Sequence, residues 1–213
     1  MKISEFLMEF KILLLLLDRV KLNEFFLNLK ETSSYEQIVN ELIVPALLDI
    51  GKMWEQGEVA LAQIYMSGKI CEEMIEKLFP KYSGSFKKYP KIGLAVLEDY
   101  HPLGMQIIKM YLNTVGVEVI EYELGILAEE LERQVINDGI EVLLISTLML
   151  RSALKIEKLI ENLKKQRKEI FVIVGGAPFA FDNTLSKKVG ADAMSLNAFE
   201  VLSIIKNLKK VEI

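Results

Sequence analysis

The feature that most constrains the fold is an alternation of strand-like and helix-like segments from residue 91 onward. The strand-like segments are short and apolar, and they read KIGLAVL, VEVIEY, VLLIS and IFVIVGG, with Ala193 to Ser195 as a candidate fifth strand. Longer segments with apolar residues at helical spacing, such as AEELERQVIND and SALKIEKLIENLKKQ, separate them. This alternation predicts an open α/β domain over residues 91–213, of the flavodoxin or Rossmann type, with helices on both faces of a parallel sheet.

The first part of the chain has a different pattern. Over residues 1–82 we find no strand-like alternation, and apolar residues recur at helical spacing from Ile38 to Ile50 and from Ile64 to Leu78. Ser33 and Ser34 lie in a polar cluster that is typical of a helix start. We therefore predict a bundle of four or five helices, followed by a linker at residues 83–90, where serine, glycine, proline and lysine are frequent.

Composition excludes several classes of function. The net charge of -4 and the pI near 5.3 argue against a nucleic-acid partner. Cys71 is the single cysteine, so a disulfide within the chain is impossible, and we expect a cytoplasmic location. The apolar run from Ile12 to Leu17 is far shorter than the roughly 20 residues of a membrane span, so we expect neither a signal peptide nor a membrane partner.

Three loops are expected to meet at one edge of the predicted sheet. They are EDYHPLG at 98–104, STLMLRS at 146–152 and GGAPF at 175–179, and each follows a predicted strand. Ligands of open α/β sheets bind at the carboxyl ends of the strands. The three loops therefore form the candidate binding site.

The first of these loops contains His101, the only histidine of the chain. In an extended segment, Asp99 and His101 lie on the same side, so the carboxylate can accept a hydrogen bond from one ring nitrogen. This bond fixes the tautomer and leaves the other nitrogen free as a ligand. One histidine cannot hold a bare zinc or iron ion, but it can be the axial ligand of a metal held by a macrocycle.

These residues resemble the fingerprint of the cobalamin-binding domains, which is D-x-H-x-x-G, then S-x-L, then G-G after successive strands. The matching residues here are Asp99, His101 and Gly104, then Ser146 and Leu148, then Gly175 and Gly176. The stretch GKMWEQGEVALAQIYMSGKI at 51–70 resembles the helical cap that precedes such domains in corrinoid methyl carriers, in methionine synthase and in cobalamin-based light sensors. The resemblance thus covers nearly the whole chain.

The resemblance implies a role for each matching residue. His101 would be the lower ligand of cobalt, Asp99 would bond it, and Ser152 would complete a proton relay with these two residues. Trp54 in the cap would cover the upper face of the corrin. The slot for the displaced nucleotide tail of the cofactor and its mouth would be formed by Leu103, Gly104, Ser146, Leu148, Gly175 and Gly176.

The sequence also departs from the family pattern. Pro102, Leu103 and Met105 replace the usual aspartate, isoleucine and lysine, and Glu98 stands where glycine is frequent. Met149-Leu150-Arg151 replaces a threonine-rich stretch. These departures leave the exact subfamily and the partner open.

The resemblance implies a methyl carrier, whose cobalt accepts a methyl group and delivers it to a partner methyltransferase. The chain is too short to add the substrate barrel of ~250 residues, so separate methyltransferase subunits are expected, with residues 82–90 as the hinge that lets the cap move. A homodimer is a further expectation. The alternative is a cobalamin-based sensor without catalysis of its own. A fragment of a cobalamin mutase is disfavoured by the cap, and a phosphoacceptor receiver is disfavoured by Ser146, where it needs an aspartate.

Overall fold

The computed structural model describes residues 3–78, 89–166 and 169–210. The chain forms two compact units, Met1–Pro80 and Lys81–Ile213, and each is described by itself. Most of the predicted linker and hinge, residues 82–88, lies outside the described residues.

The described part of the first unit is helical, as predicted. Helices α1, α2, α4 and α5 pack on one another around a buried apolar core that includes Phe10, Leu14, Leu42 and Ile75. The bounds are a 3-10 turn at Ile3–Phe6, α1 Leu7–Leu15, α2 Arg19–Thr32, α3 Tyr35–Gln37, a π-helical segment Ile38–Ile43, α4 Val44–Glu55 and α5 Leu61–Leu78.

Local chemistry explains where these helices begin and where one of them is irregular. Ser34 starts α3, because its hydroxyl accepts a hydrogen bond from the Gln37 N–H while the Gln37 side chain accepts one from the Ser34 N–H. The π-helical segment directly precedes α4, whose second residue is Pro45. Proline has no N–H and its ring crowds the carbonyl four residues earlier, so a locally wider turn accommodates it.

The second unit is a five-stranded parallel sheet covered by helices, which confirms the predicted fold class. The strand order is β2-β1-β3-β4-β5, the flavodoxin-like order. The elements are β1 Ile92–Val96, α6 Leu103–Thr114, β2 Val119–Glu121, α7 Ala128–Asn137, β3 Val142–Ser146, α8 Leu150–Gln166, β4 Phe171–Gly175, α9 Ala177–Phe181, α10 Leu185–Lys188, β5 Ala193–Ser195 and α11 Ala198–Lys210.

The sheet has a separate apolar core on each face. Side chains of α6 and α11, such as Leu112 and Ile205, pack with Leu94 and Leu144 on one face. Side chains of α7 and α8 pack with alternate strand residues such as Leu143 on the other face. Burial on both faces explains why the strands read as continuous apolar runs rather than as alternating ones.

The register of the strands brings the candidate loops to one edge. Val96 at the end of β1 pairs with Ser146 at the end of β3, Ser146 pairs with Gly175, and Gly175 pairs with Ser195. From β1 the chain continues to β2 on one side, and from β2 it crosses to β3 on the other side of β1, so the strand order changes direction between β1 and β3. Open α/β sheets bind their ligands at such switch points.

None of the helices in the described part of the chain is both long enough and apolar enough to span a membrane.

Candidate functional site

The centre of the site is the pair of Asp99 and His101 in the loop between β1 and α6. Asp99 Oδ1 lies 2.5 Å from His101 Nδ1 and also accepts a hydrogen bond from the His101 N–H at 3.2 Å. The Asp99 side chain is 1% exposed, whereas that of His101 is 54% exposed. The carboxylate thus lies beneath the imidazole and holds it toward solvent.

The second carboxylate oxygen of Asp99 is bound by the loop after β3. Asp99 Oδ2 accepts hydrogen bonds from the backbone N–H groups of Leu148 at 2.8 Å and Met149 at 3.0 Å. Burial is the largest single influence and raises the pKa of Asp99, but the hydrogen bonds from His101, Leu148 and Met149 together hold this pKa below its usual value of 3.8. An ionised Asp99 accepts at both oxygens, so Nδ1 of His101 carries the proton and donates it to Oδ1.

This tautomer makes Nε2 of His101 the available ligand atom. Among the residues that the structure describes, the hydrogen bonds of the ring involve Nδ1 alone. Those residues also contain no cluster of three or more His, Cys, Asp or Glu that could hold a metal ion. The donor set therefore fits a metal that brings its other ligands with it, as the cobalt of a corrinoid does.

Gly104 and Ser146 lie next to each other. A Cβ atom added at Gly104 would lie 3.1 Å from Ser146 Oγ, so a larger residue would occupy the space in front of this hydroxyl. Ser146 is 8% exposed, and in the described ranges no hydrogen bond to its Oγ is found. A nearly buried hydroxyl without a hydrogen-bond partner among the described residues is available to a polar ligand.

The two glycines at the end of β4 are required by the fold itself, and their predicted place in the slot for the nucleotide tail stays a prediction. A Cβ atom at Gly175 would lie 2.8 Å from the carbonyl oxygen of Ser195, and one at Gly176 would lie 1.9 Å from that of Thr147. Gly176 also has a φ of +110°, which favours glycine. The protein's own backbone therefore excludes side chains at both positions, whether or not a ligand tail is bound.

Ser152 lies in the site but does not contact Asp99. Its hydroxyl donates a hydrogen bond to the carbonyl oxygen of Glu98 at 3.0 Å. Within the described residues no hydrogen bond joins Ser152 to the Asp99 carboxylate or to the His101 ring. The predicted relay is therefore not continuous in this structure, and the role of Ser152 in proton transfer stays a prediction.

Glu98 is a feature of the site that the sequence does not reveal as such. It has a φ of +45°, a left-handed conformation, at the position where the resembling family often has glycine. Its carboxylate forms an ion pair with Lys155 in α8, and it also accepts a hydrogen bond from the Ala128 N–H at 3.4 Å, at the start of α7. The sequence shows only that Glu98 stands where the resembling family often has glycine, and it does not reveal these contacts.

Exposed apolar side chains lie in the segments that follow the carboxyl ends of the strands. They comprise Tyr100, Leu148, Met149, Leu150, Phe181 and Leu196. Exposed apolar surface concentrated at one edge of a domain marks a binding face. A large, partly apolar macrocycle fits this face better than a small polar ligand.

Two residues of the predicted site lie elsewhere or at its margin. Leu103 is the first residue of α6 and is partly buried directly after Pro102. Trp54 is in the last turn of α4 in the first unit and is 45% exposed. Its role as a cover for the corrin stays a prediction.

The fold and this site define a class of protein: an α/β domain that presents one carboxylate-bound histidine to a metal in a macrocycle. The comparisons with known proteins identify the class. Residues 90–203 match the family model of the B12 binding domain, and residues 9–78 match a second family model with the same description. The chain belongs to the B12-binding domain family, and its cofactor is a cobalamin or a related corrinoid.

Similar proteins include several corrinoid proteins of methanogens. The chain is 29% identical over 181 residues to monomethylamine corrinoid protein 2 of Methanosarcina acetivorans, which covers 81% of this chain and 82% of that protein. It is 30% identical over 169 residues to monomethylamine corrinoid protein 2 of Methanosarcina barkeri, covering 76% and 77%.

A solved structure supports the same fold. The monomethylamine corrinoid protein of Methanosarcina barkeri matches with a TM-score of 0.75 at 21% identity, over 92% of this chain and 94% of that chain. A cobalamin-binding protein from Desulfitobacterium hafniense matches with a TM-score of 0.53 at 21% identity, over 94% and 97%.

Proposed function

We propose that this chain is a corrinoid-binding methyl carrier, which accepts a methyl group on cobalt and delivers it to a partner methyltransferase. The observation that carries the proposal is the Asp99–His101 pair, because it aims Nε2 outward at the ligand-binding edge of a B12-binding domain. The cofactor supplies the reactive cobalt, and the chain supplies its lower ligand, its binding slot and its orientation.

His101 would hold the metal through Nε2, and Asp99 would position its ring. An ionised carboxylate on Nδ1 fixes the tautomer and the orientation of the imidazole. The backbone N–H groups of Leu148 and Met149 keep this carboxylate ionised and in place.

The nucleotide tail of the cofactor would occupy a slot beside Ser146. Support comes from the Ser146 hydroxyl, which lies against Gly104 and has no partner among the described residues. Leu103, Leu148, Gly175 and Gly176 would complete the lining.

The partners are methyltransferase subunits, one that methylates the corrinoid and one that removes the methyl group. We infer that the methyl donor is a methylated amine, because similar proteins are named monomethylamine and dimethylamine corrinoid proteins. The chain is then one subunit of a multi-component methyltransferase rather than a complete enzyme. The homodimer and the cytoplasmic location stay predictions.

The test begins with cofactor binding. The purified protein is mixed with hydroxocobalamin, unbound cofactor is removed by gel filtration, and the visible spectrum is recorded for the wild type, His101→Ala and Tyr100→Phe. Tyr100→Phe is the matched control, since it changes the neighbouring residue and removes only a hydroxyl. We expect retained cofactor in the wild type, an imidazole-dependent spectrum in the wild type and the control, and loss of that spectrum in His101→Ala.

A second experiment tests the methyl carrier itself. A methyltransferase specific for monomethylamine is incubated with labelled monomethylamine and the reduced, cofactor-loaded protein, and the label on the protein is measured after gel filtration. We expect label on the wild type and much less on His101→Ala. A protein that retains no corrinoid in the first experiment contradicts the whole proposal, whereas retained corrinoid without label contradicts the amine as methyl donor.

A further inference from the structure

The segment around the histidine contains a strained residue that the proposed function does not use. Glu98 has a φ of +45°, and Leu17 in the first unit is the only other described residue besides glycine with a positive φ. The left-handed conformation crowds the Cβ atom of an ordinary residue against the backbone. Such a conformation persists where surrounding contacts hold it, so the contacts of Glu98 indicate what it does.

Contacts from three other parts of the unit hold Glu98. Its N–H donates to the carbonyl of Ile126 at 3.1 Å, and its carbonyl accepts from the Ser152 hydroxyl at 3.0 Å. Its carboxylate pairs with Lys155 and accepts from the Ala128 N–H at 3.4 Å. Every hydrogen-bonding group of the residue is therefore used, and it ties the loop after β1 to α7 and α8.

A second contact on the other side of Asp99 ties the same loop to the same segment. Gly125 has a φ of +75°, and a Cβ atom there would lie 2.4 Å from Cζ of Tyr100. The Tyr100 ring thus lies directly on the backbone of Gly125. The two neighbours of Asp99, Glu98 and Tyr100, both contact residues 125–128. These contacts restrict the backbone of Asp99.

We propose that Glu98 is a positioning residue that fixes the direction of the His101 ring through Asp99. The backbone angles of Glu98 determine where the Asp99 carboxylate enters the site, and that carboxylate meets the backbone of Leu148 and Met149 as well as the ring. The Glu98–Lys155 ion pair stabilises these angles, which lie in the unfavourable left-handed region. This proposal rests on the proposed function, in which His101 is the cobalt ligand.

The experiment compares two ways of disturbing Glu98 in the full chain loaded with hydroxocobalamin. Glu98→Gly relieves the left-handed conformation and removes the carboxylate, whereas Lys155→Met removes only the partner charge. Lys158→Met is the matched control, because it removes an exposed lysine from the same helix α8. The measurements are the affinity for hydroxocobalamin, the fraction of bound cofactor with the imidazole-dependent spectrum, and the melting temperature of the cofactor-free protein.

We expect Glu98→Gly and Lys155→Met each to weaken cofactor affinity about twofold to fivefold, the range of a partly exposed ion pair, and to lower the imidazole-ligated fraction. Combining both substitutions should add nothing to the effect of Glu98→Gly alone, because each breaks the same contact. Lys158→Met should behave as the wild type. We expect the melting temperature of Lys155→Met to equal that of the wild type. The weaker cofactor binding of this variant is then due to the position of the histidine and not to a loss of overall stability.

Two results would overturn the proposal, and they are distinguishable. If Glu98→Gly and Lys155→Met bind the cofactor with wild-type affinity and spectrum, Glu98 only occupies a position where glycine serves equally well, and the proposed function stands. If the wild-type spectrum is the same as that of His101→Ala, the histidine is not the ligand, and both proposals fall together.

Discussion

The replacement of Gly176 by alanine should destabilise the second unit far more than the same replacement at Gly190. Both glycines have a positive φ, +110° at Gly176 and +74° at Gly190, so alanine is strained at both. They differ in their surroundings. A Cβ atom at Gly190 would meet nothing closer than Ile160 Cγ2 at 3.8 Å, whereas at Gly176 it would lie 1.9 Å from the Thr147 carbonyl oxygen.

The size of the difference follows from these distances. The left-handed conformation costs alanine about 1–2 kcal/mol, and we expect this cost alone for Gly190→Ala. Gly176→Ala adds a collision with a carbonyl oxygen in the backbone, which cannot rotate away as a side chain can. Carbon and oxygen atoms normally approach to about 3.3 Å, so the loops after β3 and β4 must separate by more than an ångström. Such overpacking costs about 1–3 kcal/mol, and we therefore expect Gly176→Ala to be about 2 kcal/mol less stable than Gly190→Ala.

Native-state hydrogen exchange measured by mass spectrometry is the appropriate assay. Trp54, the only tryptophan, lies in the first unit, so a probe within the second unit is needed. Peptides that cover β3 and β4 report on the sheet directly, and a loss of ~2 kcal/mol accelerates their exchange about thirtyfold. If the exchange rates of the two variants agree within about twofold, the collision with Thr147 is not the reason for glycine at this position.

Three further predictions concern other residues. Asp99 has a lowered pKa in the folded state, so its contribution to stability should be complete above pH ~4, where the carboxyl group of the unfolded chain is ionised, and should be lost as the pH falls through the lower folded pKa. The difference in urea midpoint between the wild type and Asp99→Asn should therefore become smaller in acid. A difference that becomes larger in acid would contradict this prediction. Ser152→Ala leaves the Glu98 carbonyl without its hydrogen-bond partner and should lower the free energy of unfolding by about 1 kcal/mol. Hydrogen exchange in α8 measures this loss, and an unchanged value would mean that water replaces the hydroxyl. Burial raises the pKa of the Cys71 thiol, so iodoacetamide at pH 8 should label it only after unfolding in urea, and rapid labelling of the native protein would contradict its burial.

The fold could be predicted because its signals are local and repeat along the chain. Strands buried on both faces read as apolar runs, and the helices between them carry apolar residues at helical spacing. Two elements were missed for physical reasons. The sequence Ala177–Phe181 forms α9, but with five residues it is too short to show a period. The π-helical segment Ile38–Ile43 keeps an apolar pattern that cannot be told from that of an α-helix.

One contact of the candidate site could be predicted from the sequence, and the others could not. The spacing of Asp99 and His101 was sufficient to predict their hydrogen bond, because it depends on a two-residue segment. The partners of Asp99 in the loop after β3 and the contact of Ser152 with Glu98 join residues about 50 positions apart. Such contacts depend on the register of neighbouring strands, which no local pattern specifies.

The exposure of His101 bears on the proposed carrier function. If His101 is the cobalt ligand, its ring has to reach a large cofactor from a loop that stays folded, and a ring that is 54% exposed can change its orientation at little cost in packing. The same freedom would let the ring adopt unproductive rotamers. Its carboxylate partner is 1% exposed and is held by two backbone N–H groups, so the group that the ring binds through Nδ1 is fixed in place. An exposed ring on a buried and fixed carboxylate therefore combines access to the cofactor with a defined orientation.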